Sequence, residues 1–202
     1  MARLPTIAPG EAKGKARSLL SDVQKKFGVV PNMTRVMANS PATLDAWLQS
    51  SSAREGGALD ARCRERIGLG TAEANQCEYC LSAHSAIDKM VGLSDTEIVE
   101  SRQAHAIEGE PNAALHFSRL LVEKRGAVSE ADINAARKGG LTNGEIAEGV
   151  GLTVLNIVTN YFNTAFQMDV DFPQSIASAS RLRLRLLRLD QKTLVTLIMG
   201  KP

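Results

Sequence analysis

Apolar residues recur at helical spacing along most of this chain of 202 residues. Leu44, Trp47 and Leu48 share one face of a segment that Pro41 can begin at its first turn. A longer segment, Thr142 to about Met168, carries the wide apolar face of a packed helix. With Gly and Pro as breaks, the same pattern predicts further helices over about 9–27, 30–40, 58–74, 77–91, 111–125 and 129–138. The chain is therefore predicted to be all-α.

Two stretches resemble each other where helices are expected to begin. Residues 92–98 and 140–146 each contain Gly-Leu, then Ser94 or Thr142, then a Glu three residues later. This spacing is a capping box, in which the hydroxyl accepts a hydrogen bond from a free backbone N–H and the Glu reaches back. The shared spacing suggests two related helical units.

The amino-acid composition agrees with a helical globular protein and indicates in which cell compartment it is expected. Aromatic residues make up only 4% of the chain, and the helix-favouring residues Ala, Leu, Glu, Arg and Lys are frequent. No apolar run reaches the length of a membrane span, and the first residues lack the apolar core of a signal peptide. We therefore expect a cytoplasmic protein. Three cysteines do not make a secreted disulfide framework, so a close pair indicates catalysis or metal binding.

Charge and pattern divide the chain into two parts. Residues 1–173 are expected to form one all-α domain, mildly acidic and without the charge pattern of a nucleic-acid-binding protein. Residues 174–202 are expected to form a basic and apolar tail with six basic residues and one acid. Within it, residues 181–188 alternate as a strand would. An interaction arm, a membrane-surface segment and sequence foreign to the fold are the three interpretations of this tail.

The most informative motif is Cys77, Cys80 and His84, spaced Cys-x-x-Cys-x-x-x-His on one predicted helix. Residues at these spacings fall within a narrow arc because each residue turns the helix by roughly 100°. The cysteines lie near the first turn, where free N–H groups and the helix dipole favour the reactive thiolate. The motif predicts a thiol redox centre, in which His84 moves protons or stabilises the thiolate.

A fourth residue joins this group if the chain reverses at Asn75-Gln76 and makes an antiparallel helix hairpin. Glu65 lies ten residues before Asn75 and His84 nine residues after it. At about 1.5 Å per residue, both lie roughly 14–15 Å from the turn and face each other. A carboxylate beside an imidazole fixes its tautomer and raises its basicity. The predicted relay is Glu65, His84, Cys80.

These residues resemble the core of the AhpD-like alkylhydroperoxidase and carboxymuconolactone decarboxylase family. The resemblance rests on Arg64-Glu65 and the stretch from Cys77 to His84, with a Glu twelve residues before the first Cys. It extends to three further stretches and covers roughly residues 1–173: Gly28 to Asn32, Asn156 to Asn163, and Asp171 to Pro173.

The resemblance implies an AhpD-like helical fold, a homo-oligomer that is a trimer or a hexamer, and reduction of hydroperoxides. Cys80 would attack the peroxide and become a sulfenic acid, and Cys77 would resolve it to a disulfide. A dithiol reductant, such as a dihydrolipoyl protein, would restore both thiols, and no cofactor or metal is expected in the cycle. Tyr79 occupies the position where the best-known peroxidases of the family have a second His, which implies weaker activity.

Several alternatives compete with this hypothesis. The cysteines could be an inert structural pair, or they could bind zinc together with His84 and Glu65. Within the fold, a His and a Glu could decarboxylate a lactone without thiol chemistry. A non-enzymatic redox sensor, in which the disulfide controls assembly, is a further class.

Other chemistry-bearing residues have plainer interpretations. Cys63 is predicted to be a buried small apolar residue, and His105 and His116 to be surface or packing residues. The polar stripe of Asn156, Asn160 and Asn163 is either a hydrogen-bonded seam at a subunit interface or the lining of a pocket over the second cysteine.

Overall fold

The computed structural model describes residues 2–106 and 109–175, and within these residues every regular element is helical. The fold class predicted from the sequence is confirmed. The helices, in chain order, are α1 Gly14–Phe27, α2 Asn32–Met37, α3 Pro41–Ala53, α4 Ala61–Ala74, α5 Glu78–Met90, α6 Asp95–Arg102, α7 Glu110–Glu123, α8 Glu130–Lys138 and α9 Asn143–Phe166. A single 3₁₀ turn, Arg54–Gly56, follows α3. The predicted strand-like tail lies outside the described residues apart from residues 174–175.

Local signals set most helix ends where the sequence places them. Both predicted capping boxes are present: Ser94 with Glu97 begins α6, and Thr142 with Glu145 begins α9. At the other end of a helix, Gly28 closes α1 with φ of +74°, a conformation that favours glycine. Helix boundaries are therefore largely encoded by capping chemistry.

Two predicted helix starts are a few residues too early. Helix α1 begins at Gly14, because residues 8–12 first form a separate turn in which Glu11 N donates to Ala8 O. Helix α4 begins at Ala61, because the Asp60 side chain accepts a hydrogen bond from the backbone N–H of Cys63 and so caps the helix there.

Helix α4 lies at the centre of the molecule and packs against α5, α6, α7 and α9. Two clusters of buried apolar side chains flank it. One cluster joins α1, α2 and α3 to the beginning of α5 and includes Cys77 and Cys80. The other lies between α4, α7, α8 and α9 and includes Cys63. The paired cysteines and the third cysteine are therefore in different parts of the core.

Helices α4 and α5 form the antiparallel hairpin predicted from the sequence. The reversal takes place at Asn75 and Gln76, where Gln76 has φ of +54° and the Cys77 N–H donates to Ala72 O. Helices α4 and α5 approach each other closely at Gly68, where an added Cβ would lie 2.5 Å from the His84 ring. No helix in the described part of the chain is long and apolar enough to cross a membrane.

Candidate functional site

Cys77 and Cys80 lie at the N-terminus of α5, as the motif predicts. Cys77 is the N-cap residue, and its sulfur accepts a hydrogen bond from the backbone N–H of Cys80 at 3.3 Å. The two sulfurs are joined as a disulfide with the Cα atoms 5.3 Å apart, which is within the usual range. Both residues are buried. The pair is therefore positioned to switch between dithiol and disulfide on an intact helix.

The polar neighbour of the Cys80 sulfur is Asn163 on α9. Its Nδ2 lies 3.2 Å from Sγ of Cys80 and 3.4 Å from Sδ of Met33, in the first turn of α2. Three distant segments of the chain therefore meet at the Asn163 amide. Of the two interpretations of the asparagine stripe, the contact supports the pocket over the second cysteine.

Glu65 and His84 are in direct contact, so the proximity predicted from the hairpin is confirmed. Oε2 of Glu65 is 2.7 Å from Nδ1 of His84, and Nε2 of His84 is 3.2 Å from Oδ1 of Asn156. Asn156 is oriented by its own Nδ2, which donates to Leu152 O at 2.9 Å. Both ring nitrogens therefore face acceptors, and both must donate. The geometry is that of an imidazolium held between a carboxylate and an amide oxygen.

The charges of this pair stabilise one another inside the protein. Burial alone disfavours a charged imidazole, but the adjacent Glu65 carboxylate outweighs it and raises the pKa of His84. Burial would likewise raise the pKa of Glu65, and His84 outweighs it and lowers that pKa. Arg54 adds to this effect, with Nη2 3.8 Å from the other Glu65 oxygen. Each partner therefore favours the ionised form of the other.

The predicted relay from Glu65 through His84 to Cys80 is only partly assembled. In the described part of the chain, no hydrogen bond joins His84 to either sulfur. The reason is that α9 supplies the partners of both groups: Asn156 faces Nε2 of His84, and Asn163 faces Sγ of Cys80.

Asp88, one turn after His84 on α5, is a buried group outside the motif predicted from the sequence. Its side chain is 0% exposed, and within the described residues neither carboxyl oxygen has a hydrogen-bond partner. Burial raises the pKa of Asp88 to about 7; Glu65 also raises it, whereas His84 and Arg66 lower it. Its i, i+4 spacing after His84 was the signal in the sequence.

Tyr79, which occupies the position of the second His in the best-known peroxidases of the resembled family, connects three segments of this chain. Its hydroxyl donates to Oδ1 of Asp171 at 2.8 Å and accepts from the backbone N–H of Met33 at 3.2 Å. Its ring packs edge-on against Phe172. Burial raises the pKa of the phenol. Tyr79 therefore ties the segment after α9 to α5 and α2 and carries no free proton to the sulfurs.

The remaining candidate residues behave as expected. Cys63 is buried, and desolvation raises the pKa of its thiol to about 12, so it is unreactive. His105 and His116 are exposed. Asn160 accepts a hydrogen bond from Asn75 at 2.8 Å and so fastens the α4–α5 turn to α9. No group of three or more His, Cys, Asp or Glu side chains in residues 2–106 and 109–175 is placed to hold a metal ion.

Sequence comparison identifies a family for the segment that carries the site. Residues 41–123, which include Glu65, both paired cysteines and His84, match the carboxymuconolactone decarboxylase family. An uncharacterized protein from Haemophilus influenzae is 38% identical over 65 residues, 32% of this chain and 53% of that protein. The aligned part of this chain thus spans about half the length of that curated relative.

Solved structures extend the similarity to most of the chain. A peroxidase-related protein from Ralstonia eutropha JMP134, described as an alkylhydroperoxidase AhpD core, superposes with a TM-score of 0.76 and 26% identity over 84% of this chain and 92% of its own. A peroxidase-related protein from Silicibacter sp. TM1040 has a TM-score of 0.72 and 22% identity, over 82% and 88% of the two chains. The debrominase Bmp8 in complex with 2,3,4-tribromopyrrole has a TM-score of 0.70 and 14% identity, over 90% and 95%. The last two show the fold alone. Over residues 41–123 the chain matches the carboxymuconolactone decarboxylase family, and most of the chain has the fold of the AhpD-like proteins.

Proposed function

We propose that this protein is a thiol-dependent, alkylhydroperoxidase-like oxidoreductase that reduces hydroperoxides through a dithiol–disulfide cycle of Cys80 and Cys77. The observation that carries the proposal is the placement of both sulfurs at the first turn of α5, bonded to each other in a buried site. A helix N-terminus favours thiolate, and a pair that closes without unwinding its helix can cycle repeatedly. The peroxidase-related structure at 26% identity supports the same class of reaction.

The chemistry of the cycle balances without a cofactor. The Cys80 thiolate attacks the outer oxygen of the hydroperoxide ROOH; the S–O bond forms, the O–O bond breaks, and sulfur loses two electrons to oxygen. The alkoxide takes a proton and leaves as ROH. Cys77 then attacks the sulfenic acid, which forms the disulfide and releases water. A dithiol, such as a dihydrolipoyl group, reduces the disulfide by exchange and is itself oxidised to a disulfide.

Roles follow for the other site residues. The Cys80 N–H that contacts Cys77 Sγ stabilises a Cys77 thiolate, the form required for resolution. His84, kept protonated by Glu65 and Asn156, is the source of the proton for the leaving alkoxide. Because Nε2 faces Asn156, that proton reaches the alkoxide only after the Asn156 contact opens or through an intervening water.

Two further features belong to the proposal. We place the cycle in the cytoplasm, where thiol reductants are maintained.

We also propose a homo-oligomer, a trimer or a hexamer. Helix α9 exposes an uncharged apolar stripe that consists of Val150, Val154, Val158 and Tyr161.

The proposed cycle predicts a specific product on the reduced protein. Less than one equivalent of peroxide should remove two hydrogens and link Cys77 to Cys80, as measured by peptide mass spectrometry. Cys80→Ser should abolish peroxide consumption, because the attacking thiolate is gone. Cys77→Ser should stop after one turnover with a sulfenic acid on Cys80, detectable by trapping with dimedone. Cys63→Ala is the control and should leave turnover unchanged, since that thiol is buried and remote from the pair.

The same experiment separates the alternatives. If both thiols survive excess peroxide, the peroxidase proposal is wrong. If the disulfide forms but no dithiol supports turnover, a redox sensor is favoured. If a carboxymuconolactone substrate is consumed equally by wild type and Cys80→Ser, the protein is a lyase, because only thiol-independent chemistry survives that substitution.

A further inference from the structure

The amide of Asn163 lies against the sulfur that the proposed cycle uses. Its Nδ2 is 3.2 Å from Cys80 Sγ, and within residues 2–106 and 109–175 it makes the only side-chain hydrogen bond to that atom. The Asn163 side chain is buried, 3% exposed, on the inner face of α9. A neutral amide donor at this distance stabilises a thiolate more than a thiol, because a hydrogen bond to an ionised acceptor is the stronger one.

The oxygen of the same amide has no hydrogen-bond partner. Oδ1 of Asn163 is buried and unpaired among the described residues, although buried amide oxygens in folded proteins are normally satisfied. The planar amide fixes this oxygen beside its Nδ2, so the free acceptor is held near the Cys80 sulfur. A free acceptor at a reacting centre is suited to a small molecule that brings its own O–H donor.

We propose, on the basis of the peroxide cycle above, that Asn163 is a catalytic residue that acts through both ends of its amide. Nδ2 donates to the Cys80 thiolate, and Oδ1 accepts from the hydroxyl of the incoming hydroperoxide. The ligand class is therefore a molecule that ends in –O–OH.

The two contacts match the atoms that move in the reaction. The outer oxygen of ROOH carries the hydrogen that Oδ1 accepts, and this oxygen is the one that bonds to sulfur. As the S–O bond forms and the O–O bond breaks, the hydrogen stays on the transferred oxygen, and the alkoxide takes its proton from elsewhere. The sulfenic acid Cys80–S–O–H then donates to the same Oδ1. One amide therefore orients the peroxide before the transfer and holds the product for Cys77.

The donor half is tested on the full chain carrying Cys77→Ser, by following iodoacetamide alkylation of Cys80 against pH with peptide mass spectrometry. Asn163→Ala removes the donor, so the alkylation midpoint should rise by about one pH unit. Asn163→Asp keeps the shape but adds a negative charge, so the midpoint should rise further. Thr159→Val is the control, because Thr159 lies one turn earlier on α9 and, among the described residues, its hydroxyl bonds only a backbone carbonyl of its own helix. An unchanged midpoint in either folded Asn163 variant, or an equal rise in the control, overturns the donor role.

The acceptor half is tested at a pH above all of these midpoints, where Cys80 is thiolate in each protein. Alkylation rates should then agree, whereas oxidation by hydrogen peroxide should be about tenfold slower in Asn163→Ala, the loss expected for one hydrogen bond. Equal slowing of both reactions, or of neither, overturns the acceptor role. If wild-type Cys80 is alkylated normally but never oxidised by peroxide, the proposed function fails, and the alkylation midpoints still decide whether Asn163 stabilises the thiolate.

Discussion

At the scale of single residues, the site contains several buried ionisable side chains, of which only some have a hydrogen-bonded partner. Glu65 and His84 neutralise each other at 2.7 Å, with Arg54 on the far side of the carboxylate. Asp88 lies one turn from His84 in a fully buried position without a hydrogen-bond partner in the described residues. Burying an unpaired carboxylate is costly, so the protein keeps Asp88 protonated into the neutral range. This makes stability depend on pH.

Asp88→Asn should remove that dependence. The pKa of Asp88 is raised from 3.8 to about 7 by burial, so below pH 4 both the folded and unfolded states hold the proton and no penalty arises. Between about pH 4 and pH 7 the unfolded state releases the proton first, and the wild type loses stability relative to the variant. The full difference above pH 7 is on the order of 4 kcal/mol. Urea unfolding of the disulfide form at several pH values measures it.

A control and a contrary result are available for this titration. Asp22→Asn changes an exposed carboxyl on α1, and its effect on unfolding should stay small across the range. The groups that face Asp88 are His84 on its own helix and Glu65 and Arg66 on α4; His84 and Arg66 lower the pKa of Asp88, and Glu65 raises it. If the Asp88→Asn difference is the same at pH 4 and pH 8, Asp88 does not titrate as described.

At the scale of helices, the sequence predicts contacts between residues that are near each other in the chain. It does not predict contacts between residues that are far apart in the chain. The Glu65–His84 contact could be predicted because a fixed rise per residue places both at equal heights from the Asn75-Gln76 turn. Which face of α9 docks on the hairpin could not be predicted, because spacing within a helix does not give its rotation about its axis. The partners Asn156 and Asn163 were therefore recognised as a stripe without their contacts.

Tyr79 shows a second kind of limit. Its position in the motif predicts a lost proton carrier, whereas the structure gives it a positive role as an anchor to Asp171 and Phe172. Those partners lie about ninety residues later, beyond the end of α9. Local pattern therefore identifies the chemistry of a site better than it identifies the supports around it.

The close approach of α4 and α5 makes a helix-scale prediction at Gly68. A Cβ there would lie 2.5 Å from the His84 ring, which cannot move without breaking its bond to Glu65 or Asn156. Gly68→Ala should therefore destabilise the fold by about 1–3 kcal/mol, although Ala favours helix over Gly by about 1 kcal/mol. Urea unfolding measures the change.

The matched control is Gly149→Ala, a helical glycine on α9 where the added Cβ would meet only Phe117 at 3.8 Å. That contact is ordinary, so the variant should be neutral or gain up to about 1 kcal/mol from helix propensity. An equal gain in unfolding free energy for the Gly68 and Gly149 variants would mean that the His84 ring can move. That result would contradict a ring held by Glu65 and Asn156 against Gly68.

At the scale of the whole molecule, α9 has two different faces. Its inner face supplies the polar contacts of the site, whereas its outer face exposes Val150, Val154, Val158 and Tyr161. From Gly149 to Met168 the sequence contains no charged residue, so nothing on this stretch opposes contact with another apolar surface. An apolar stripe of this kind on one long helix is typical of a protein–protein interface. Because the inner face holds Asn156 and Asn163, association through the outer face would also fix the site.

The proposed homo-oligomer can therefore be tested on α9. Val154→Glu with Val158→Glu places two charges in the stripe, and burying them without partners is unfavourable, so the mass from sedimentation equilibrium should fall from three or six chains toward one. Met90→Glu is the control, because Met90 is 85% exposed at the end of α5, on a different helix from the stripe, and this variant should keep the wild-type mass. If wild type already sediments as a single chain, the oligomer proposal is wrong. If the double variant keeps its mass, the interface lies elsewhere. Where the mass does fall, a slower alkylation of Cys80 would show that the outer face of α9 supports the site on its inner face.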